Sequence, residues 1–192
     1  MHTYSINSSE RSSIPFILAG ISIGLILLLK YKIIVPSWVP VPSVFALYGI
    51  LYGLFNKWLW KWKFLNKMGL ICTPDLNGTW KMLSKSSMNN YEKEYVGIVT
   101  INQTWTTISI YLDGEKFTST STMAGIDIKT EAIFTLKWEY LSRKKPEFSD
   151  KDYMHTGMTR VLAENKSNPL QLKGDYFTDR SRHNYGSVTM LQ

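Results

Sequence analysis

The chain has 192 residues, 22 Lys+Arg against 15 Asp+Glu, a formal charge of +7 and a single cysteine. One cysteine, Cys72, excludes an internal disulfide and a cysteine metal cluster. The charge is not spread evenly: residues 1–70 hold 7 basic and 1 acidic residue (+6), residues 71–192 the other 15 and 14 (+1). The second half therefore has no field with which to hold a nucleic acid polymer, and the basicity of the first reads as attraction to anionic lipid.

Two apolar runs without acidic or basic residues open the chain. Ile14–Leu29 reads IPFILAGISIGLILLL, roughly 24 Å as a helix. It needs its flanks to cross a hydrocarbon core of ~30 Å, and Arg11, Lys30 and Lys32 can snorkel to the headgroups. No small-x-small cleavage site follows, and the text runs through KYKIIVPSWVP into a second apolar run. That pattern reads as an anchor and not a secretory signal. Pro36, Pro40 and Pro42 make the link a turn, since proline removes backbone donors, and Trp38 suits an interface. The second run, PSVFALYGILYGLF, makes the second helix, so helices are expected over about 14–34 and 42–60 as an antiparallel hairpin.

After the hairpin comes NKWLWKWKF, in which Trp58, Trp60 and Trp62 alternate with lysines. Lys57, Lys61, Lys63 and Lys67 outweigh Lys30 and Lys32 in the turn, which places the C-terminal part on the cytoplasmic side. Gly20-x-x-x-Gly24 in the first helix and Gly49-x-x-x-Gly53 in the second are small-residue strips that let helix backbones approach closely. They are the candidate oligomerisation surface.

Residues 71–192 are written in alternating strands with frequent turns. The expected strands are Thr79–Lys85, Tyr91–Gln103, Thr106–Leu112, Glu115–Ala124, Glu131–Leu141, Tyr153–Leu162, Leu170–Thr178 and Ser187–Leu191, with Asp113-Gly114 a hairpin signal. Eight antiparallel strands close into a small barrel with room for side chains or one small ligand. The fold class is thus an all-β soluble domain, a small eight-stranded antiparallel barrel, preceded by a two-helix transmembrane hairpin. Residues 1–70 are the tail and hairpin, and residues 71–192 the barrel.

Parity sorts the strand residues into inward and outward sets. Phe134, Leu136, Trp138 and Tyr140 face inward on one strand. Leu172, Gly174, Tyr176, Thr178 and Arg180 do so on another. On the strand between them, Met154, Thr156, Met158, Arg160 and Leu162 are assigned inward, which turns His155 outward. Each row starts apolar and gains aromatic, hydroxyl or cationic groups toward one end: a greasy floor, where Trp80 belongs, and a polar mouth. An inward arginine is costly unless paired or liganded, so Arg160 and Arg180 are candidate ligand contacts. The three histidines have no paired ligand spacing. No phosphate loop, G-x-S-x-G or H-E-x-x-H is present, so no enzyme, metal or cofactor is expected.

LNGTW at 76–80, INQTW at 101–105, the Ser119/Ser121 strand, HTGMT at 155–159 and LKGDYFTDR…G at 172–186 recur here in one order behind two apolar helices. With these the chain resembles the membrane-anchored β-barrel effectors of bacterial CBASS anti-phage defence, over essentially its whole length. The resemblance implies a multi-pass inner-membrane protein with a cytoplasmic barrel. That barrel would bind a cyclic dinucleotide made by a cGAS/DncV-like nucleotidyltransferase, and the protein would then self-assemble and disrupt the bilayer. Such a ligand wants arginine forks and hydroxyl donors for its phosphates and aromatic faces for its bases. Arg180, Arg182, Thr178, Ser119 and Ser121 suit the first; Tyr140, Tyr176 and Trp105 suit the second. The competing readings are a membrane-tethered lipocalin-like carrier of an apolar ligand and a hydrolase using His155 or His183.

Overall fold

The computed structural model describes residues 1–31, 43–130, 133–148, 154–164, 170–180 and 182–192. They form two compact units. One is Ser8–Cys72; the other joins Met1–Asn7 to Thr73–Gln192.

The first unit is helical. α1, Glu10–Tyr31, is 22 residues long and apolar, roughly 33 Å, enough to cross a bilayer. Pro15 lies inside it, in the second turn, and supplies no amide for the hydrogen bond back to residue 11. Glu10, an acid at the helix N-terminus, accepts a hydrogen bond from the Cys72 amide (2.6 Å). α2, Val44–Lys57, begins where the Ser43 hydroxyl caps the Ala46 amide, the usual role of serine before a helix. A short 3-10 turn at Leu59–Lys61 and α3, Lys63–Lys67, carry the chain onward. α1 and α2 pack together. α1 buries Ile14, Leu18, Ser22 and Ile26, one stripe at helical spacing. The expected turn with Pro36, Pro40, Pro42 and Trp38 lies outside the described residues.

The second unit is a closed barrel. Its strands are β1 (His2–Ile6), β2 (Gly78–Ser86), β3 (Glu94–Gln103), β4 (Thr107–Gly114), β5 (Phe117–Thr130), β6 (Ile133–Lys144), β7 (Met154–Glu164), β8 (Gln171–Thr178) and β9 (Tyr185–Leu191). From β2 to β9 each strand pairs antiparallel with its sequence neighbour, and β9 returns to β2. These are the eight expected strands, with β5 and β6 each running beyond its expected end.

The ninth strand is a departure. The opening residues, read from sequence as part of a tail, insert into the seam between β4 and β5. Those two strands pair directly only at Tyr111↔Thr120, Leu112↔Ser119 and Asp113↔Thr118. Below that they part, and β1 fills the gap, antiparallel to β4 (His2↔Ile108, Thr3↔Thr107) and parallel to β5 (Tyr4↔Ala124, Ser5↔Gly125, Ile6↔Ile126). A bulge in β5 between Ser121 and Met123 marks the fork. The polar text HTYSIN carries one core residue, Tyr4, 7% exposed, which is too little periodicity to announce a strand.

One end of the barrel is sealed. Leu76, Trp80, Ile108, Leu136, Leu172 and Met190 are fully buried there, and Trp80 Nε1 donates to the Leu76 carbonyl (3.0 Å), as its assignment to the floor requires. The two tryptophan motifs interlock at this end. The Gln103 amide donates to Asn77 Oδ1 (2.7 Å), and Asn77 Nδ2 donates back to the Gln103 carbonyl (3.0 Å). The Gln103 side chain then ties both connections to the helical unit. Its Nε2 donates to Tyr4 Oη and to the Pro74 carbonyl (both 3.2 Å), and its Oε1 accepts the Leu76 amide (2.9 Å). Strand β1 leaves the barrel, and residues 73–77 enter it, at this one end.

The parity of β7 is the reverse of the expected one. His155, Gly157, Thr159, Val161 and Ala163 are buried, while Met154, Arg160 and Leu162 are exposed. Both rows of this strand carry apolar residues, so its pattern alone does not choose a face. The neighbouring strands choose, because the bulky Trp138 and Tyr140 on β6 leave space only for the smaller row. Arg160 therefore lies outside, paired with Asp175 at 3.6 Å.

Gln103→Met keeps the volume but strands the buried Leu76 amide and removes one of the hydrogen bonds of Tyr4. An unfolding free energy lower by about 1–3 kcal/mol is expected, measured by denaturation of the detergent-solubilised protein. An unchanged midpoint would show that the clasp contributes nothing.

Candidate ligand-binding site

The opposite end of the barrel is open, and behind it lies a cavity of about 410 Å³, within the range of small-ligand sites. Its deeper wall is Val99, Ile110, Trp138 and Val188; nearer the mouth come Tyr140, Tyr176 and the hydroxyls of Ser84, Ser86, Ser119, Ser142, Thr159 and Thr178.

The two tyrosines are seated in the same way. Tyr140 stands opposite Gly157 and Tyr176 opposite Gly186 in the strand registers. A Cβ on Gly157 would overlap the Tyr140 ring, and one on Gly186 would meet the Tyr176 ring at 2.6 Å. Each glycine is thus a flat seat that holds a neighbouring aromatic against the sheet. Burial pushes the Tyr140 phenol well above its ordinary pKa, so it stays protonated and can donate.

The β8–β9 turn presents the principal cation. Thr178 and Asn184 are tied to each other: the Asn184 amide donates to Thr178 Oγ1 (3.0 Å), and the Thr178 amide donates to the Asn184 carbonyl (2.8 Å). Asp179 accepts the Thr156 amide (2.8 Å) and hydroxyl (3.1 Å), while its own amide donates to the Thr156 carbonyl (3.0 Å). Asn184 Oδ1 accepts from Ser86 and Ser87, which fixes the turn to β2. Held this way, the Arg182 guanidinium lies 4.6 Å from the centre of the Phe117 ring, a cation–π contact. Its Nη1 lies 3.1 Å from His155 Nε2 and 3.2 Å from Nδ1, donating to the unprotonated nitrogen. His155 also meets the rings of Phe117 and Tyr140 edge-on. Burial, then the charge of Arg182, pulls its pKa down to about 4, so the imidazole is neutral at pH 7. Lys93 and Lys116 line the same mouth against one carboxylate, Glu115. The site is an aromatic and hydroxylic well with a positive rim.

Of the residues singled out in the sequence, Ser119, Tyr140, Tyr176, Thr178 and Arg182 line the cavity. Four do not. Trp105 is buried at the sealed end, where its carbonyl accepts from Tyr4 Oη (2.9 Å). Ser121 sits at the fork of the seam, accepting the Ile110 amide (2.9 Å) and bonded to His2 Nε2 (2.8 Å). Arg160 is on the outer surface, and Arg180 is exposed in the turn, because the strand row that pointed it inward ends at Thr178. Reading by strand parity missed His155, Ser142, Phe117, Asn184 and the two rim lysines. The first follows from the reversed face of β7. Asn184, Lys93 and Lys116 stand outside or at the ends of strands, where parity has no reach; Ser142 continues the inward row Phe134, Leu136, Trp138 and Tyr140 beyond the expected strand end at Leu141, and that row was the available signal for it. Among the described residues no cluster of three His, Cys, Asp or Glu could hold a metal.

A family model described as Cap15, cyclic dinucleotide receptor domain, matches residues 71–192, and one described as Cap15, TM helices, matches residues 12–61. No curated protein matches the chain.

The depressed pKa of His155 has a consequence for stability. Between pH 6.5 and about 4 the unfolded chain takes up a proton that the folded one refuses, so stability falls as pH falls through that window and levels off below it. The loss amounts to at most about 3 kcal/mol. His155→Gln is expected to flatten this part of the profile, measured as denaturation midpoints at pH 7 and pH 4.5. Equal losses in wild type and variant would remove His155 from the account.

Proposed function

The chain belongs to the Cap15 family, a cyclic dinucleotide receptor domain behind transmembrane helices, and we propose that the nucleotide, bound in the mouth of the barrel, triggers self-assembly of the helices and disruption of the bacterial inner membrane. The chain is a cyclic-nucleotide-binding membrane effector of CBASS defence; the route from binding to damage is the proposal, as is its lack of enzymatic activity. Part of the same proposal is that the nucleotide is the product of a cGAS/DncV-like nucleotidyltransferase.

One observation carries the ligand site: Arg182 is buttressed by Phe117 and His155 inside a well lined by Tyr140 and Tyr176. A phosphodiester meets a fixed guanidinium there, with serine and threonine hydroxyls beside it. Bases meet tyrosine, tryptophan and phenylalanine faces. An apolar carrier has no use for three cations at its mouth.

The topology supports a cytoplasmic barrel on a hairpin. Strand β1 precedes α1 yet belongs to the barrel. Both ends of the helical unit therefore return to one side of the bilayer, and the unit crosses it an even number of times. The lysines after α2 favour the cytoplasm for that side. The glycines support assembly between copies. A Cβ on Gly20, Gly24, Gly49 or Gly53 would meet nothing within 4 Å, and on α1 the strip lies off the Ile14–Leu18–Ser22–Ile26 stripe. Among the described residues, the close approach that glycine strips permit is not used within the chain.

Arg182→Gln is expected to weaken cyclic dinucleotide binding about 10–150-fold, the worth of a charge-assisted contact of about 1.5–3 kcal/mol. Arg180→Gln is expected to change it little. Isothermal titration of the solubilised protein against a panel of cyclic dinucleotides measures both, and the reverse ranking would move the site to the outer turn. Gly20→Leu with Gly24→Leu, or the same pair at Gly49 and Gly53, is expected to leave binding intact and abolish permeabilisation of cells that make the nucleotide. Wild-type permeabilisation in both pairs would eliminate the strips as the assembly surface.

A further inference from the structure

The seam between β4 and β5 is a strand-acceptor groove with defined recognition points. Its floor-side half has no direct pairing of the two walls and is satisfied by five residues, His2–Ile6. Three side chains in the N-terminal segment are read. His2 bonds to Ser121 Oγ at the fork (2.8 Å). Tyr4 is buried, donating to the Trp105 carbonyl (2.9 Å) and accepting from Gln103. Asn7 accepts the Ile128 amide (2.7 Å) and donates to the Ile128 carbonyl (3.1 Å), so its side chain continues the ladder where the strand ends. The groove thus selects the pattern His-x-Tyr-x-x-Asn in strand form, by the logic of strand addition to a sheet edge.

The chain that supplies this strand is joined to the rest of the barrel only through the Ser8–Cys72 unit. No tight turn connects β1 to either of its partners, which stand about a hundred residues away in the chain. A second copy offers the identical segment and makes the identical contacts, so exchange loses none of them. What favours the chain's own strand is its effective concentration alone, and confinement of copies in a membrane erodes that advantage. A five-residue strand, parallel to one partner and short against the other, is also among the elements least costly to release.

From this geometry we infer that the β4–β5 seam is an interaction site for the N-terminal strand of a second copy, and that assembled copies are linked by exchange of residues 2–6. α1 starts at Glu10, three residues past Asn7, so an exchanged strand runs directly from one copy's barrel into another copy's membrane helix. Because donor and acceptor surfaces differ, such a contact repeats head to tail. The inference rests on the assembly proposed above.

Two full-length chains with different tags, both Cys72→Ser, are co-expressed in bacterial membranes, one carrying Thr3→Cys and the other Thr107→Cys. The two positions are paired in the structure. Oxidation is carried out with and without cyclic di-AMP, cyclic di-GMP and cyclic GMP-AMP, and a lysine-reactive crosslinker reports assembly in parallel samples. A disulfide-linked heterodimer of the two tags is expected, with Ser5→Cys and Gly125→Cys as a second pair giving the same product. Exchange is overturned, and assembly survives, if the lysine crosslinker captures oligomers while both cysteine pairs join only when placed in a single chain. Absence of oligomers by both chemistries overturns both readings.

Discussion

A barrel cannot leave an edge open, because every unpaired backbone amide and carbonyl inside it costs free energy that water would otherwise supply. In this chain the eight strands of the C-terminal part nearly meet that requirement and stop short of it. β4 and β5 pair near the mouth and diverge toward the floor, and the missing ladder comes from the first residues of the chain. Much of the rest is organised by that closure. Gln103 holds the inserted strand and the returning segment together, Trp80 and its neighbours seal the floor beneath, and the space left above becomes the cavity.

The same closure joins the two halves of the protein. The helical unit is tied to the barrel at both of its ends, by a strand on one side and by the LNGTW segment on the other, and both ties meet at Gln103. The ligand cavity touches the seam from above through Ile110, Leu112, Phe117 and Ser119, two residues from the fork at Ser121. The strands that line the mouth, β4 and β5, are also the strands that grip β1.

The cavity owes its character to pairs of residues across strands. Glycine opposite tyrosine appears twice, and each time the ring is laid against the sheet where the glycine leaves room for it. Arg182 is held by a turn tied to β2 and β7, and a neutral His155 accepts its hydrogen bond without competing for its charge. The cation is thus left for an anionic ligand instead of being spent on an internal carboxylate.

Hydropathy and charge along the sequence were enough for the two apolar helices, the basic girdle and the eight alternating strands, because those features repeat at the period of a single element. Inward rows were legible on β6 and β8, where the other row carries the charges, Lys137 and Glu139 on β6 and Lys173 and Asp175 on β8. The rest was decided by tertiary structure, for identifiable reasons. β7 has two apolar rows, so only the tyrosine and tryptophan of β6 choose the smaller one, and with it His155 in place of Arg160. Arg180 and Arg182 are equivalent in sequence; the turn that fixes Thr178 to Asn184 and Asp179 to Thr156 sends one into the cavity and leaves the other in water. Strand β1 has a single buried side chain and no local partner. Its conformation is imposed by a gap between strands encoded a hundred residues later, and a pattern carried by the gap cannot be read from the segment that fills it.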